Sequence, residues 1–233
     1  MAQQWNDLLF AHWPIATGEI ARLLPPGLEV DTFNGHAWFG VVPFRMTRVR
    51  TRALREAFIT IPSTSAFCEL NLRTYVRSRV TGLSGVYFFS LDAASALAVL
   101  GARTLFHLPY FFAQMNSQSE ADGTVRYRSK RLLTSRSVRF HASYRGLVEL
   151  SWPSAQGTLE HFLTERYCLF TPHRGRLLVG DIHHLPWPLQ AAEAEISINE
   201  LPAAHGIALP NRQPILYFAK KLEVYIWSLR EDQ

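Results

Sequence analysis

Strand-forming segments recur along almost the whole chain, and few stretches have the period of a helix. Each segment is rich in Val, Ile, Phe, Tyr or Trp, and turn residues separate it from the next. The segments with this pattern are 36–44, 67–77, 85–91, 124–133, 138–150, 176–184, 193–199 and 214–228. About eight strands with few helices predict a mainly β protein of the α+β class, with an antiparallel sheet that is curled or closed into a barrel.

Three short helices interrupt the strands. Each begins after a residue that can cap it, and they are predicted at 18–24, 93–106 and 159–166, with Thr17, Asp92 and Thr158 as the caps. Neither a linker nor an internal repeat is visible in the sequence. We therefore expect a single domain that spans residues 1–233.

Composition and charge exclude several classes of protein. An apolar fraction of 48% excludes intrinsic disorder, and two cysteines, Cys68 and Cys168, are too few for a disulfide framework or a zinc cluster. The net charge of +5 is carried mainly by arginine and is densest at 45–55. Because no nucleic-acid-binding motif accompanies this stretch, we expect no nucleic-acid partner.

No segment indicates a membrane or an export pathway. The longest uncharged apolar run, 93–102, is far shorter than the roughly 20 residues of a membrane helix, and the N-terminal stretch has no basic start. These features predict a cytoplasmic protein that does not bind a membrane.

One predicted strand carries a polar row. Within 67–77, alternation places Glu69, Asn71, Arg73 and Tyr75 on one face and mostly apolar residues on the other. The row either faces solvent at the outside of a sheet or lines a ligand pocket inside a barrel. In a pocket, its carboxyl, amide, guanidinium and phenol groups can hold a carboxylate or carbonyl compound.

Other chemical groups give weaker signals. Asp181 and His183 share a strand face while His184 points away, so too few ligands converge for zinc, and we expect no metal or other cofactor. Lys220 falls on an apolar strand face, where it is either a buried amine with a lowered pKa or an amine that reaches water. The sequence also lacks hydrolase, P-loop and dinucleotide motifs.

Several unusual short sequence motifs resemble those of a known family. They include WNDLLFAHWP at 5–14 and HHLPWPLQ at 183–190, and the others lie at 23–31, 69–76, 85–92, 102–110 and 163–168. Together they resemble the YqjF-like family, known as domain of unknown function 2071, over nearly the whole chain.

That family is distantly similar to acetoacetate decarboxylase, and the resemblance implies its barrel fold. The aromatic-x-Glu word at 67–69 matches a decarboxylase strand whose glutamate belongs to the active site, which here is Glu69. The decarboxylase lysine pair, however, is replaced by Tyr110 and Phe111. Schiff-base catalysis needs an amine, so this resemblance does not extend to decarboxylase chemistry.

Two hypotheses of function follow from the residues and the resemblance. In the first, the protein binds a small carboxylate- or carbonyl-containing molecule without Schiff-base chemistry, in a pocket lined by Glu69, Asn71, Arg73, Arg103 and Tyr110. In the second, it is an enzyme that runs lyase- or hydratase-type acid–base chemistry with Glu69 and Tyr110 as catalytic groups.

Overall fold

The computed structural model describes residues 1–52, 58–59, 65–150 and 152–233, so part of the arginine-rich stretch 45–55 lies outside the described residues. In chain order, the elements are β1 Ala2–Ile15, α1 Thr17–Ala21, β2 Leu28–Val30, β3 Ala37–Arg52, β4 Phe58–Ile59, β5 Ala66–Ser78, β6 Ser84–Ala93, α2 Ala96–Leu105, β7 Tyr110–Ser119, β8 Val125–Arg131, β9 Arg139–Glu149, α3 Leu159–Thr164, β10 Cys168–His173, β11 Arg176–His184, β12 Leu189–Asn199, α4 Leu201–Ala204, β13 Ile215–Ile226 and β14 Arg230–Glu231.

Two closed rings of strands share one wall. The wall is formed by β13, β1, β3, β5 and β6, which pair in that order. A seven-stranded ring closes through β10 and β11, and a nine-stranded ring closes through β7, β8, β9 and β12. The mainly β, closed architecture predicted from the sequence is therefore confirmed.

The shared wall is buried on both faces, and each face packs against a different hydrophobic core. In β1, Phe10 belongs to the core of the seven-stranded ring and Leu9 to the core of the nine-stranded ring. In β5, Tyr75 belongs to the core of the seven-stranded ring and Leu72 to the core of the nine-stranded ring. Because a strand exposes successive side chains on opposite faces, this arrangement buries every position of β5 from Leu70 to Val76.

Several sequence predictions about the strands need correction. The predicted sheet was antiparallel, but β6 pairs in parallel with both β7 and β10. The sequence pattern also missed β1, β7 and β10. In β1, Asp7 and Pro14 interrupt the apolar pattern, yet the strand continues because Asp7 adopts a positive φ at a register shift against β3.

Four short helices, rather than the predicted three, lie in the described part of the chain. Thr158 caps α3 as expected, since its side chain accepts a hydrogen bond from the His161 backbone N–H. Asp92 does not cap α2, because β6 continues through it, and Ser95 takes that role by accepting from Ala98 N–H. Thr17 is the first residue of α1 and not its cap.

Among the described residues, no helix has both the length and the apolar content to cross a membrane.

Candidate functional site

A cavity of about 50 Å³ lies on the inner face of the seven-stranded ring. All seven strands of the ring contribute side chains to it, and α2, the segment after it and the start of β7 complete the lining. The lining residues are Met1, Gln3, Trp5, Met46, Glu69, Asn71, Phe88, Leu91, Ala102, Phe106, Leu108, Tyr110, Leu169, Ile182 and Ile226. Since a water molecule in the liquid occupies about 30 Å³, the cavity suits a ligand of only a few non-hydrogen atoms.

Glu69 and Tyr110 form the polar centre of this cavity. The Tyr110 hydroxyl donates a 2.9 Å hydrogen bond to Oε2 of Glu69. Glu69 is the fourth residue of β5 and is 2% exposed, and Tyr110 is the first residue of β7. The parallel pairing of Leu91 in β6 with Tyr110 brings the start of β7 close to β5, because β6 is also the neighbour of β5.

Burial changes the protonation of both groups. Desolvation raises the pKa of Glu69 to about 8, and the nearby Asp92 carboxylate acts in the same direction while the Tyr110 hydrogen bond opposes it. Burial and the adjacent Glu69 raise the pKa of the Tyr110 phenol well above its usual range. Glu69 therefore carries a proton over much of the neutral pH range and exchanges it near pH 8.

Asn71 places an unpaired amide in the same wall. It is 1% exposed, and its Oδ1 atom has no hydrogen-bond partner in the described structure. Alternation along β5 brings Asn71 to the same face as Glu69, two residues away. A buried polar group without a partner costs about 1–3 kcal/mol, so this amide favours a bound polar molecule.

The cavity is otherwise apolar and aromatic, and no basic side chain lines it within the described ranges. Gln3 is the remaining polar lining residue, and its Oε1 accepts a 2.8 Å hydrogen bond from Trp5 Nε1. Both Gln3 and Trp5 were missed from the sequence because β1 itself was not predicted. Gln3 and Trp5 are two residues apart, and both precede the irregular Asp7. This spacing places their side chains on one face of a strand.

Arg73 does not line the cavity, contrary to the sequence prediction. It is buried, and its Nη2 donates 3.3 Å hydrogen bonds to Tyr75 Oη and to the Leu163 carbonyl. Its guanidinium also lies 5.3 Å from the centre of the Phe10 ring. Arg73 shares a strand face with Glu69 but lies far from it, since four residues along a strand separate their backbones by about 13 Å.

Tyr75, the last member of the polar row, lies beside Arg73 and is fully buried. Its hydroxyl donates a 2.6 Å hydrogen bond to the Leu163 carbonyl, which ties β5 to α3. Nε2 of the buried His12 lies 2.6 Å from the same hydroxyl oxygen. Burial and the Arg73 charge keep the pKa of His12 well below its usual value, so the imidazole is neutral.

Arg103 also lies outside the cavity. It is on the exposed side of α2, where its Nε donates a 2.6 Å hydrogen bond to the Tyr110 carbonyl. The helix turns Ala102 toward the cavity instead, because adjacent residues of a helix point in different directions. The cavity therefore combines three of the five predicted ligand-binding residues, namely Glu69, Asn71 and Tyr110.

None of the three lysines of the chain lines the cavity. Lys220 is 65% exposed at its side chain, and its Nζ lies 2.6 Å from Oδ1 of Asp7. Lys130 and Lys221 are exposed as well. Lys220 thus forms an ion pair at the surface. It is not a buried amine, which its position on an apolar strand face had left open.

Other polar and thiol groups of the second half of the chain have structural partners or are buried. Asp181 forms an ion pair with Arg230, and Glu165 accepts hydrogen bonds from the Tyr167 hydroxyl and the Trp187 backbone N–H. Cys168 is buried, and desolvation raises the pKa of its thiol to about 11. Across the residues that the structure describes, no group of three or more His, Cys, Asp or Glu side chains is arranged to hold a metal ion.

Sequence and structure comparisons identify the relatives of this chain. It is 50% identical over 231 residues to the uncharacterized protein YqjF of Bacillus subtilis (strain 168), and the match covers 99% of this chain and 92% of that protein. The structure is similar to the enduracididine biosynthesis enzyme MppR, which was solved with the condensation product of pyruvate and imidazole 4-carboxaldehyde. That match has a TM-score of 0.64 and 16% identity and covers 99% of this chain and 88% of MppR.

An acetoacetate decarboxylase-like enzyme from Sphingomonas wittichii RW1 has the same fold. Its TM-score is 0.63 at 12% identity, over 100% of this chain and 92% of that enzyme. At the level of the family, the model of DUF2071, described as an uncharacterized conserved protein, matches residues 2–223. The chain therefore belongs to the DUF2071 family and has an acetoacetate decarboxylase-like fold.

Proposed function

We propose that this protein binds a small carbonyl-containing molecule in the cavity of the seven-stranded ring, without Schiff-base chemistry. The observation that carries the proposal is the hydrogen bond between Tyr110 and Glu69 at the polar centre of an otherwise apolar cavity. A protonated Glu69 carboxyl has an O–H that can donate to a carbonyl oxygen, and the Tyr110 hydroxyl fixes its orientation.

The charge of the lining favours a neutral carbonyl over a carboxylate. Arg73 and Arg103, the two groups expected to hold a carboxylate, both point elsewhere. A carboxylate in the cavity would lie next to Glu69 without a compensating cation, and burying an unpaired charge is expensive.

The test is a titration with acetone and with acetate, two ligands of equal size that differ in charge. A ligand of four non-hydrogen atoms gains at most about 6 kcal/mol, so we expect dissociation constants no tighter than about 40 μM, which suit NMR. Acetone should shift the Trp5 indole N–H and Glu69 side-chain signals, and its affinity should fall as pH rises through about 8. A matched variant, Glu69→Gln, should keep acetone binding but lose this pH dependence.

Stronger binding of acetate than of acetone would contradict the proposal, and so would the absence of any shift at cavity residues. An exposed-site control, Glu195→Gln, removes one carboxylate outside the cavity and should behave as the wild type.

Acid–base catalysis at the same two residues is the second candidate, and the Glu69 pKa of about 8 favours it. At this value both protonation states are populated near neutral pH, as a group that takes and returns protons requires. The Glu69 carboxylate would remove a proton from the carbon next to a carbonyl. Once Glu69 is protonated, the Tyr110 O–H that now donates to it would turn and donate a hydrogen bond to the enolate oxygen. In D₂O, catalysis would speed deuterium incorporation into the acetone methyl groups, and Glu69→Gln would abolish that acceleration. An exchange rate equal to that of buffer alone would leave binding as the function.

A further inference from the structure

We infer that the ligand of this cavity is a small primary carboxamide, and that Asn71 is the residue that selects it. The inference rests on the proposed function and narrows the carbonyl ligand to one chemical class. It starts from Asn71, which is 1% exposed, lines the cavity, and leaves Oδ1 buried without a partner.

The other polar side chains of the lining already have partners. Glu69 accepts a hydrogen bond from Tyr110, and Gln3 accepts one from Trp5 while its Nε2 lies 3.4 Å from Met1 Sδ. Within the described structure, the side-chain amide of Asn71 donates to and accepts from none of these groups. Asn71 is therefore the polar group of the cavity whose hydrogen-bonding capacity is left for a ligand.

An amide side chain offers an N–H donor and a carbonyl acceptor side by side. A second primary amide pairs with both at once, because its own N–H and carbonyl have the complementary order. A ketone can accept from Nδ2 but leaves Oδ1 unpaired, and a carboxylate has no donor at all. The need to satisfy Oδ1 therefore separates an amide from the other carbonyl compounds.

The position of Glu69 fits the same ligand. Glu69 and Asn71 are two residues apart on one face of β5, so their backbones are about 7 Å apart and their side chains are neighbours. A carbonyl oxygen has two lone pairs and can accept from the Glu69 O–H and from Asn71 Nδ2 together. The amide N–H of the ligand then donates to Asn71 Oδ1, and its small apolar group meets the Trp5 and Phe88 side chains.

The test compares acetamide, acetone and acetate, which share one shape and differ in a single group. In NMR titrations of the wild-type protein at pH 6.5, we expect acetamide to bind about tenfold more tightly than acetone, because acetone leaves a buried acceptor unpaired. Asn71→Leu, a nearly isosteric change, removes both the donor and the acceptor of the amide, so acetamide should no longer bind more tightly than acetone. Asn116→Leu makes the same substitution at an exposed position of β7 and should leave all three affinities unchanged.

The outcomes separate this inference from the function on which it rests. If acetone binds as tightly as acetamide to the wild type, the amide assignment is wrong and the carbonyl site stands. If none of the three ligands shifts the signals of cavity residues, the carbonyl site itself is wrong and the amide assignment with it. The wild-type comparison needs no variant, so a failure of Asn71→Leu to fold does not remove the test.

Discussion

The Tyr110 hydroxyl donates a 2.9 Å hydrogen bond to Oε2 of Glu69, and this bond joins the first residue of β7 to the fourth residue of β5. Tyr110 stands at the position where the decarboxylase resemblance places a nucleophilic lysine. The substitution replaces an amine with a phenol that orients a carboxyl group. Where the resemblance implies an amine, this chain has a phenol that is hydrogen-bonded to a carboxyl group.

Removing this bond should raise the pKa of Glu69. The Tyr110 hydroxyl stabilises the carboxylate form and so lowers the pKa, which burial alone would place above its present value of about 8. We expect Tyr110→Phe to shift the pKa upward by about 1–2 units, the equivalent of one hydrogen bond to a charged group. The Glu69 side-chain carbonyl carbon, followed by NMR against pH, reports the change. A downward shift would show that the hydroxyl favours the neutral acid.

Glu69 should also make the free energy of unfolding depend on pH. Its pKa is about 8 in the folded protein and about 4.3 in an unfolded chain, so between these values only the folded state keeps the proton. The unfolded state then binds fewer protons, and the free energy of unfolding falls as pH rises, by up to about 1.4 kcal/mol per pH unit. Urea melts at pH 5.5, 6.5 and 7.5 should show this slope in the wild type and a smaller one in Glu69→Gln. Equal slopes in the two proteins would place the Glu69 carboxyl in water.

The ion pair between Arg131 and Asp92 should contribute strongly to stability. Their side chains are 4% and 1% exposed and lie 2.7 Å apart, with the guanidinium 3.9 Å from the Phe111 ring centre. Asp92→Ala leaves a buried guanidinium without its carboxylate, and we expect a loss of about 3–5 kcal/mol in the free energy of unfolding.

A matched control for that variant is Glu200→Ala, which breaks the exposed ion pair of Glu200 with Arg139. Screening by solvent limits such a pair to about 0–1 kcal/mol. In urea melts, the loss in free energy of unfolding should therefore be several-fold larger for Asp92→Ala than for Glu200→Ala. Similar small losses for both would mean that Arg131 finds another partner after Asp92 is removed.

No Schiff base should form at the decarboxylase position. All three lysines lie outside the cavity, and Lys220 is held at the surface by Asp7. Incubation with acetoacetate followed by borohydride should leave the protein mass unchanged. Lys220→Ala serves as the control, because an adduct that this variant abolishes would map the reaction to Lys220 and revive amine catalysis.

Some features of the site follow from local sequence alone. Alternation at period two places Glu69, Asn71, Arg73 and Tyr75 on one face of a strand, and no tertiary information is needed for that. The absence of a lysine at 110–111 likewise rules out Schiff-base chemistry there directly from the residue types. Thr158 marks the start of α3 in the same way, because a cap acts within one turn of chain.

Whether either face of that strand is exposed to solvent was decided by the tertiary structure. Both faces are buried. Leu72 and Tyr75 are both buried because β5 belongs to a wall shared by two closed rings, and ring closure depends on pairings between strands far apart in sequence. The same long-range packing sends Arg73 to the Leu163 carbonyl and leaves Asn71 unpaired in the cavity. Local sequence thus determined which groups share a face, whereas the partners of each group depended on side-chain contacts that only the closed rings create.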